Sequence, residues 1–174
     1  PLLFAPERFD DLEDYLPWCE VYELDQEAEL ELQSEVRLVL GGRGLGVALP
    51  AQKSYFYVSS IDIQARIKAG RRGELARACL GNKDSMLVLD AFAGFGVDGL
   101  TLAGLGADVT LVERNLVVWL MLRSIACGHP RVVVHNADSL SLFHSEVAWD
   151  VVYLDPMFPP TKKSALPKRD LQTL

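Results

Sequence analysis

A chain of 174 residues is long enough for one domain with a sizeable core and a small attached subdomain. About half of the residues are apolar and 24% are charged, which is ordinary for a globular chain, and no apolar run reaches the roughly 18 residues that span a bilayer. The net charge of −7 is unevenly placed: half of the acidic side chains fall in residues 1–40, against Arg8 and Arg37, and the remainder is mildly basic. The start lacks the basic and apolar regions of a secretory signal, and it also lacks Met. Cys19, Cys79 and Cys127 are odd in number and far apart, which argues against a disulfide framework and fits a reducing cytoplasm. His129, His135 and His144 do not sit at metal-ligand spacing with them, so no metal is expected.

In chain order, residues 1–35 read as irregular to helical, with a short helix over Asp25–Glu35. Val36–Leu40 and Leu45–Leu49 read as strands about the turn Gly41-Gly42-Arg43-Gly44, and Tyr55–Val58 as a third strand. Residues 1–60 are therefore expected to form a small β-rich subdomain and residues 61–174 the main domain. Arg71–Leu80 fits a helix with an apolar stripe at Leu75, Ala76, Cys79 and Leu80. Strands at Met86–Asp90, Asp108–Glu113, Arg131–His135 and Asp150–Asp155 then alternate with helices at Gly99–Leu105 and Leu116–Cys127. Apolar strands alternating with helices indicate an α/β, doubly wound, mostly parallel sheet covered on both faces, which binds ligands at the carboxyl ends of its strands.

Chemistry-bearing residues stand at those ends. Asp90 is followed by a loop of small residues containing Gly94 and Gly96, where backbone can approach a ligand and the next helix can aim free N–H groups at it. Gly94, Gly96 and Gly99 satisfy G-x-G-x-x-G, which suits NAD as well as S-adenosylmethionine. Glu113, followed by Arg114 and Asn115, can accept both hydroxyls of a ribose in either cofactor; its plainer role is a helix cap, which Asn115 can fill instead. Asp138, beside Ser139, can accept from an adenine amine or cap a helix.

Asp155-Pro156-Met157-Phe158-Pro159 separates the two cofactors. It resembles the [Asp/Asn/Ser]-Pro-Pro-[Tyr/Phe] motif of methyltransferases acting on exocyclic amines. A ring-conjugated amine is a poor nucleophile; a carboxylate and a carbonyl near Pro156 that accept its two hydrogens hold the nitrogen in line with the methyl group. Phe158 offers a face for stacking the base, and proline stiffens the loop. A nicotinamide-dependent oxidoreductase has no use for this segment. The basic clusters Arg66, Lys68, Arg71, Arg72 and Lys162, Lys163, Lys168, Arg169 can neutralise phosphates, although either alone reads equally as solvated surface.

Asp90–Asp98, Val112–Asn115, His135–Leu140 and Val151–Pro159 followed by Lys163–Leu166 together resemble the RsmJ-type methyltransferases of bacterial small-subunit (16S) ribosomal RNA, over roughly residues 36–170. The resemblance implies a Rossmann-like class I methyltransferase fold, S-adenosyl-L-methionine as cofactor, and a guanine N2 amine in small-subunit ribosomal RNA or the 30S subunit as acceptor. It implies cofactor contacts from Val97 and Asp98, Glu113 and Arg114, Asp138 and Ser139, and Asp155, with Asp155, Pro156 and Phe158 at the acceptor. Family members carry Arg where Val97 stands and continue through three more strands, and the acidic first forty residues have no counterpart in the resemblance. A non-catalytic RNA-binding module with the same fold is the alternative that a shortened chain raises.

Overall fold

The computed structural model describes residues 1–4, 13, 15–24, 26, 31–58, 60–83, 85–144 and 147–156. The chain divides into two compact units after Val58.

The first unit holds a five-stranded sheet of order β2-β1-β3-β4-β5, formed by β1 (Leu2–Phe4), β2 (Val21–Glu23), β3 (Arg37–Gly41), β4 (Gly44–Ala48) and β5 (Phe56–Tyr57). The glycine turn joins β3 and β4 as an antiparallel hairpin, and β1 runs parallel to both β2 and β3. Leu3, Leu32 and Val39 form its buried centre. β1 and β2 escape the sequence reading because three-residue strands are too short to show a period. Of the helix expected over Asp25–Glu35, the structure shows a 3-10 turn at Leu32–Ser34; residues 25 and 27–30 lie outside the described residues.

The second unit opens with α1 (Ser60–Ala69), a 3-10 turn at Gly70–Arg72 and α2 (Glu74–Cys79). This corrects the single helix expected over Arg71–Leu80: Gly70 has a left-handed φ of 67° and Gly73 is extended, so the helix breaks between them. Next come β6 (Leu87–Asp90), α3 (Val97–Gly104), β7 (Asp108–Glu113), α4 (Leu116–Ala126), β8 (Val132–Asn136), a 3-10 turn at Ser139–His144 and β9 (Val151–Tyr153). The four strands form a wholly parallel sheet of order β8-β7-β6-β9. β9 stops at Tyr153, short of the expected Asp155, because its partner β6 ends opposite at Asp90.

Strand alternation sorts the side chains between two faces. Val88, Val109 and Leu111 on one face pack with Ile63 of α1, Ala76 and Cys79 of α2, Leu100 and Leu102 of α3, and Leu122 and Ala126 of α4. On the other, Leu89 and Val112 are packed by Leu142 and Trp149, while Val133 and Val152 in register with Leu89 are half exposed. Among the described residues, helices cover one face rather than both.

Candidate active site

The order β8-β7-β6-β9 reverses direction at β6: β7 follows on one side and β9, last in sequence, lies on the other. The crevice above this reversal is where an open parallel sheet binds ligands. The loop after β6 is stitched across it. The Ala91 N–H donates to the Tyr153 carbonyl at 3.1 Å, the Ala93 N–H to the Val112 carbonyl at 3.0 Å, and the Gly94 N–H to Glu113 Oε2 at 3.1 Å. Two glycines are demanded by packing. Gly96 caps α3 with φ 74°, and a Cβ there would stand 2.3 Å from a Leu122 methyl; at Gly99 it would stand 2.2 Å from a Leu111 methyl. Nothing lies within 4 Å of a Cβ built on Gly94, so that glycine borders open space.

The structure separates the roles left open for Glu113 and Asn115. Asn115 caps α4, its Oδ1 accepting from the Val117 and Val118 N–H groups at 3.0 and 3.2 Å. Glu113 accepts from the Asn115 N–H at 2.6 Å as well as from Gly94, so it joins the end of β7 to the glycine loop. Asn136, which sequence reasoning passed over, donates to the carbonyls of Glu113 and Arg114 at 2.9 and 3.2 Å and fixes that corner from β8. Arg114 and Asp138 are exposed; Asp138 Oδ1 accepts from the Leu140 N–H at 3.0 Å, the capping role, and Ser139 is buried.

Three carboxylates converge between β6, α3 and β9. Asp90 is buried, and burial pushes its carboxyl up to about 7; the charges of Asp98 and Asp155 push the same way, against N–H groups of Phe92 and Gly99 that favour the ion. Its Oδ1 has no hydrogen-bond donor among the described residues. Asp98, in the first turn of α3, is gripped on both oxygens: Arg66 of α1 pairs with Oδ1 and the Tyr153 hydroxyl donates to Oδ2 at 2.8 Å. Burial, that hydrogen bond and the neighbouring carboxylates raise the Tyr153 phenol well above its ordinary range. Asp155 is exposed and Pro156 half-buried just beyond β9. Val97 turns its side chain into the apolar core, which leaves only backbone for a ligand, and its carbonyl accepts from the Thr101 hydroxyl at 2.7 Å.

The first basic cluster is not one surface. Arg66 is engaged by Asp98, and Arg71 donates to the carbonyls of Lys83 and Leu105, tying chain segments together. Lys68 and Arg72 are exposed. Phe158, Lys162, Lys163, Lys168 and Arg169 lie outside the described residues. Among the described residues no group of His, Cys, Asp or Glu could hold a metal ion, and no helix is long and apolar enough to cross a membrane.

A parallel sheet with this strand order, a glycine cradle after the central strand and an acid closing the next define a Rossmann-like α/β cofactor-binding domain. The unsatisfied Asp90 oxygen and the open space at Gly94 leave polar room for a cofactor with cationic groups. The chain belongs to the family described as "Putative SAM-dependent methyltransferase", which matches residues 22–174, and the cofactor is S-adenosyl-L-methionine rather than a nicotinamide dinucleotide. Two curated relatives, each named ribosomal RNA small subunit methyltransferase J, are 35% identical over 158 residues (Marinobacter nauticus) and 39% identical over 159 residues (Thioalkalivibrio sulfidiphilus). The matches cover 82% and 78% of this chain but 56% and 61% of those proteins, so the chain spans little more than half their length. In fold it is similar to the crystal structure of a SAM-dependent methyltransferase from Neisseria gonorrhoeae, with a TM-score of 0.67 at 22% identity over 91% of this chain and 70% of that one.

Proposed function

We propose that this protein methylates the exocyclic N2 amine of a guanine in small-subunit ribosomal RNA. The observation that carries the reading is the place of Asp155-Pro156, at the carboxyl end of β9 and beside Asp90, where the strand order reverses. Similarity to the two relatives named for small-subunit ribosomal RNA supports the acceptor.

When bound, S-adenosylmethionine supplies an electrophilic methyl group on a sulfonium. The chain's own residues do the positioning. Glu113 takes the ribose hydroxyls with its remaining lone pairs, and Asp138 with Ser139 takes the adenine. Backbone N–H groups at Val97 and Asp98 face the amino-acid part, beside the buried carboxyl of Asp90. Gly94 and Gly96 allow close approach. Asp155 and a carbonyl near Pro156 accept the two hydrogens of the amine, which turns its lone pair toward the methyl group. Asp155 is exposed and can pass the released proton to solvent. Phe158 stacks the base, and Lys68, Arg72, Lys162, Lys163, Lys168 and Arg169 meet RNA phosphates. We assign residues 1–60 to a small subdomain and residues 61–174 to the cofactor-binding domain. Three free cysteines and a ribosomal acceptor suit the cytoplasm.

The test is radiolabelled methyl transfer to 30S subunits and to naked 16S RNA. Asp155→Ala should lower turnover about a hundredfold or more, well beyond its loss of S-adenosylhomocysteine affinity. Transfer that persists in Asp155→Ala refutes the role of the motif. A chain that binds the RNA and the cofactor product yet transfers nothing is the non-catalytic module instead.

A further inference from the structure

We infer that Arg66 is a cofactor residue, not an RNA contact: its guanidinium receives the carboxylate of the amino-acid part of S-adenosylmethionine, and Asp98 and Tyr153 hold it there. The inference rests on the cofactor reading.

Asp98 has both oxygens taken by protein, one by Arg66 and one by the Tyr153 hydroxyl at 2.8 Å. A carboxylate so engaged orients its partners better than it binds a ligand. Tyr153 fixes Asp98 from β9, and Asp98 in turn fixes Arg66, whose helix crosses α3 closely enough that a Cβ on Gly104 would stand 2.3 Å from Ile67. A guanidinium has five N–H donors, and Arg66 commits one to Asp98. Its side chain is 52% exposed, so the remaining edge is available to a ligand. It lies beside the first turn of the eight-residue α3, where Gly96 supplies no side-chain cap and the N–H groups favour an anion.

The charges match the cofactor group by group. S-adenosylmethionine carries a sulfonium, an ammonium and one carboxylate. Asp90 and Asp155 suit the cations, and Arg66 with the start of α3 suits the anion. A planar carboxylate can accept two parallel bonds from the free edge of that guanidinium.

The experiment uses two probes on the full 174-residue chain: S-adenosylhomocysteine, which has the carboxylate, and 5′-methylthioadenosine, which lacks the amino-acid part. Arg66→Gln should weaken the first about tenfold or more and leave the second within about twofold. Arg66→Lys should recover part of the loss, and Tyr153→Phe should reproduce a smaller one. Equal losses for both probes would show a merely structural role and overturn the inference, as would unchanged S-adenosylhomocysteine affinity. The salt dependence of binding to a small-subunit ribosomal RNA fragment should keep its slope in Arg66→Gln; a slope lower by about one counterion places Arg66 on a phosphate and also overturns it. If the unmutated chain binds neither probe, the cofactor reading fails first and the inference falls with it.

Discussion

Asp90→Asn tests the electrostatics of the crevice directly. In the folded chain the Asp90 carboxyl titrates at about 7, against an ordinary aspartate value of 3.8. Over that window the folded chain keeps a proton that the unfolded chain has lost. The contribution of Asp90 to stability is therefore most favourable below about pH 4, declines as pH rises toward 7, and levels off above it. At about 1.4 kcal/mol per pH unit, the ionised Asp90 costs the fold ~4 kcal/mol at pH 8. Asparagine does not ionise, so the variant escapes this slope. It also carries a constant penalty of about 1–3 kcal/mol, because its amide must lie among N–H donors that now serve a carboxylate. The constant drops out of the comparison across pH. Urea unfolding at pH 5, 6, 7 and 8 should show the variant gaining roughly 3 kcal/mol on the unmutated chain from the lowest to the highest pH. Parallel stability curves for the two proteins would refute the reasoning, since they would mean that Asp90 is ionised throughout.

The two loop glycines should separate stability from binding. Gly96→Ala meets the Leu122 methyl in a left-handed backbone and should cost about 2–4 kcal/mol in unfolding experiments, whereas Gly94→Ala, with φ 54° and open space ahead of it, should cost about 1 kcal/mol and chiefly weaken S-adenosylhomocysteine in calorimetry. Leu122→Ala removes a wholly buried side chain of α4 from the core beneath the cradle and should lower stability by about 2–5 kcal/mol by urea titration.

The parallel sheet was legible because each of its strands is a run of apolar residues closed by a polar one, and each intervening helix carries an apolar face. The helix expected from Arg71 starts instead at Glu74, because Gly70–Arg72 form a 3-10 turn and Gly73 is the extended N-cap. β1 and β2 carry too few residues for any period, and they form strands because neighbours remote in sequence pair with them.

At the site, chain position alone determined that Asp90, Gly94, Gly96, Glu113, Asp138 and Asp155 stand at strand ends, since local pattern places those ends. What each side chain does there depends on partners many residues away. Arg66 and Arg71 belong to one basic cluster in the sequence, yet Arg66 meets Asp98 and Arg71 meets the carbonyls of Lys83 and Leu105. Glu113 holds the glycine loop, and Asn115 beside it caps the helix. Tyr153 occupies a core strand by pattern and becomes a polar anchor only because α3 brings Asp98 to its hydroxyl. Periodicity is a local property of the chain and survives without the fold, whereas hydrogen-bond partnership is settled by which elements pack together, and only the tertiary structure decides that.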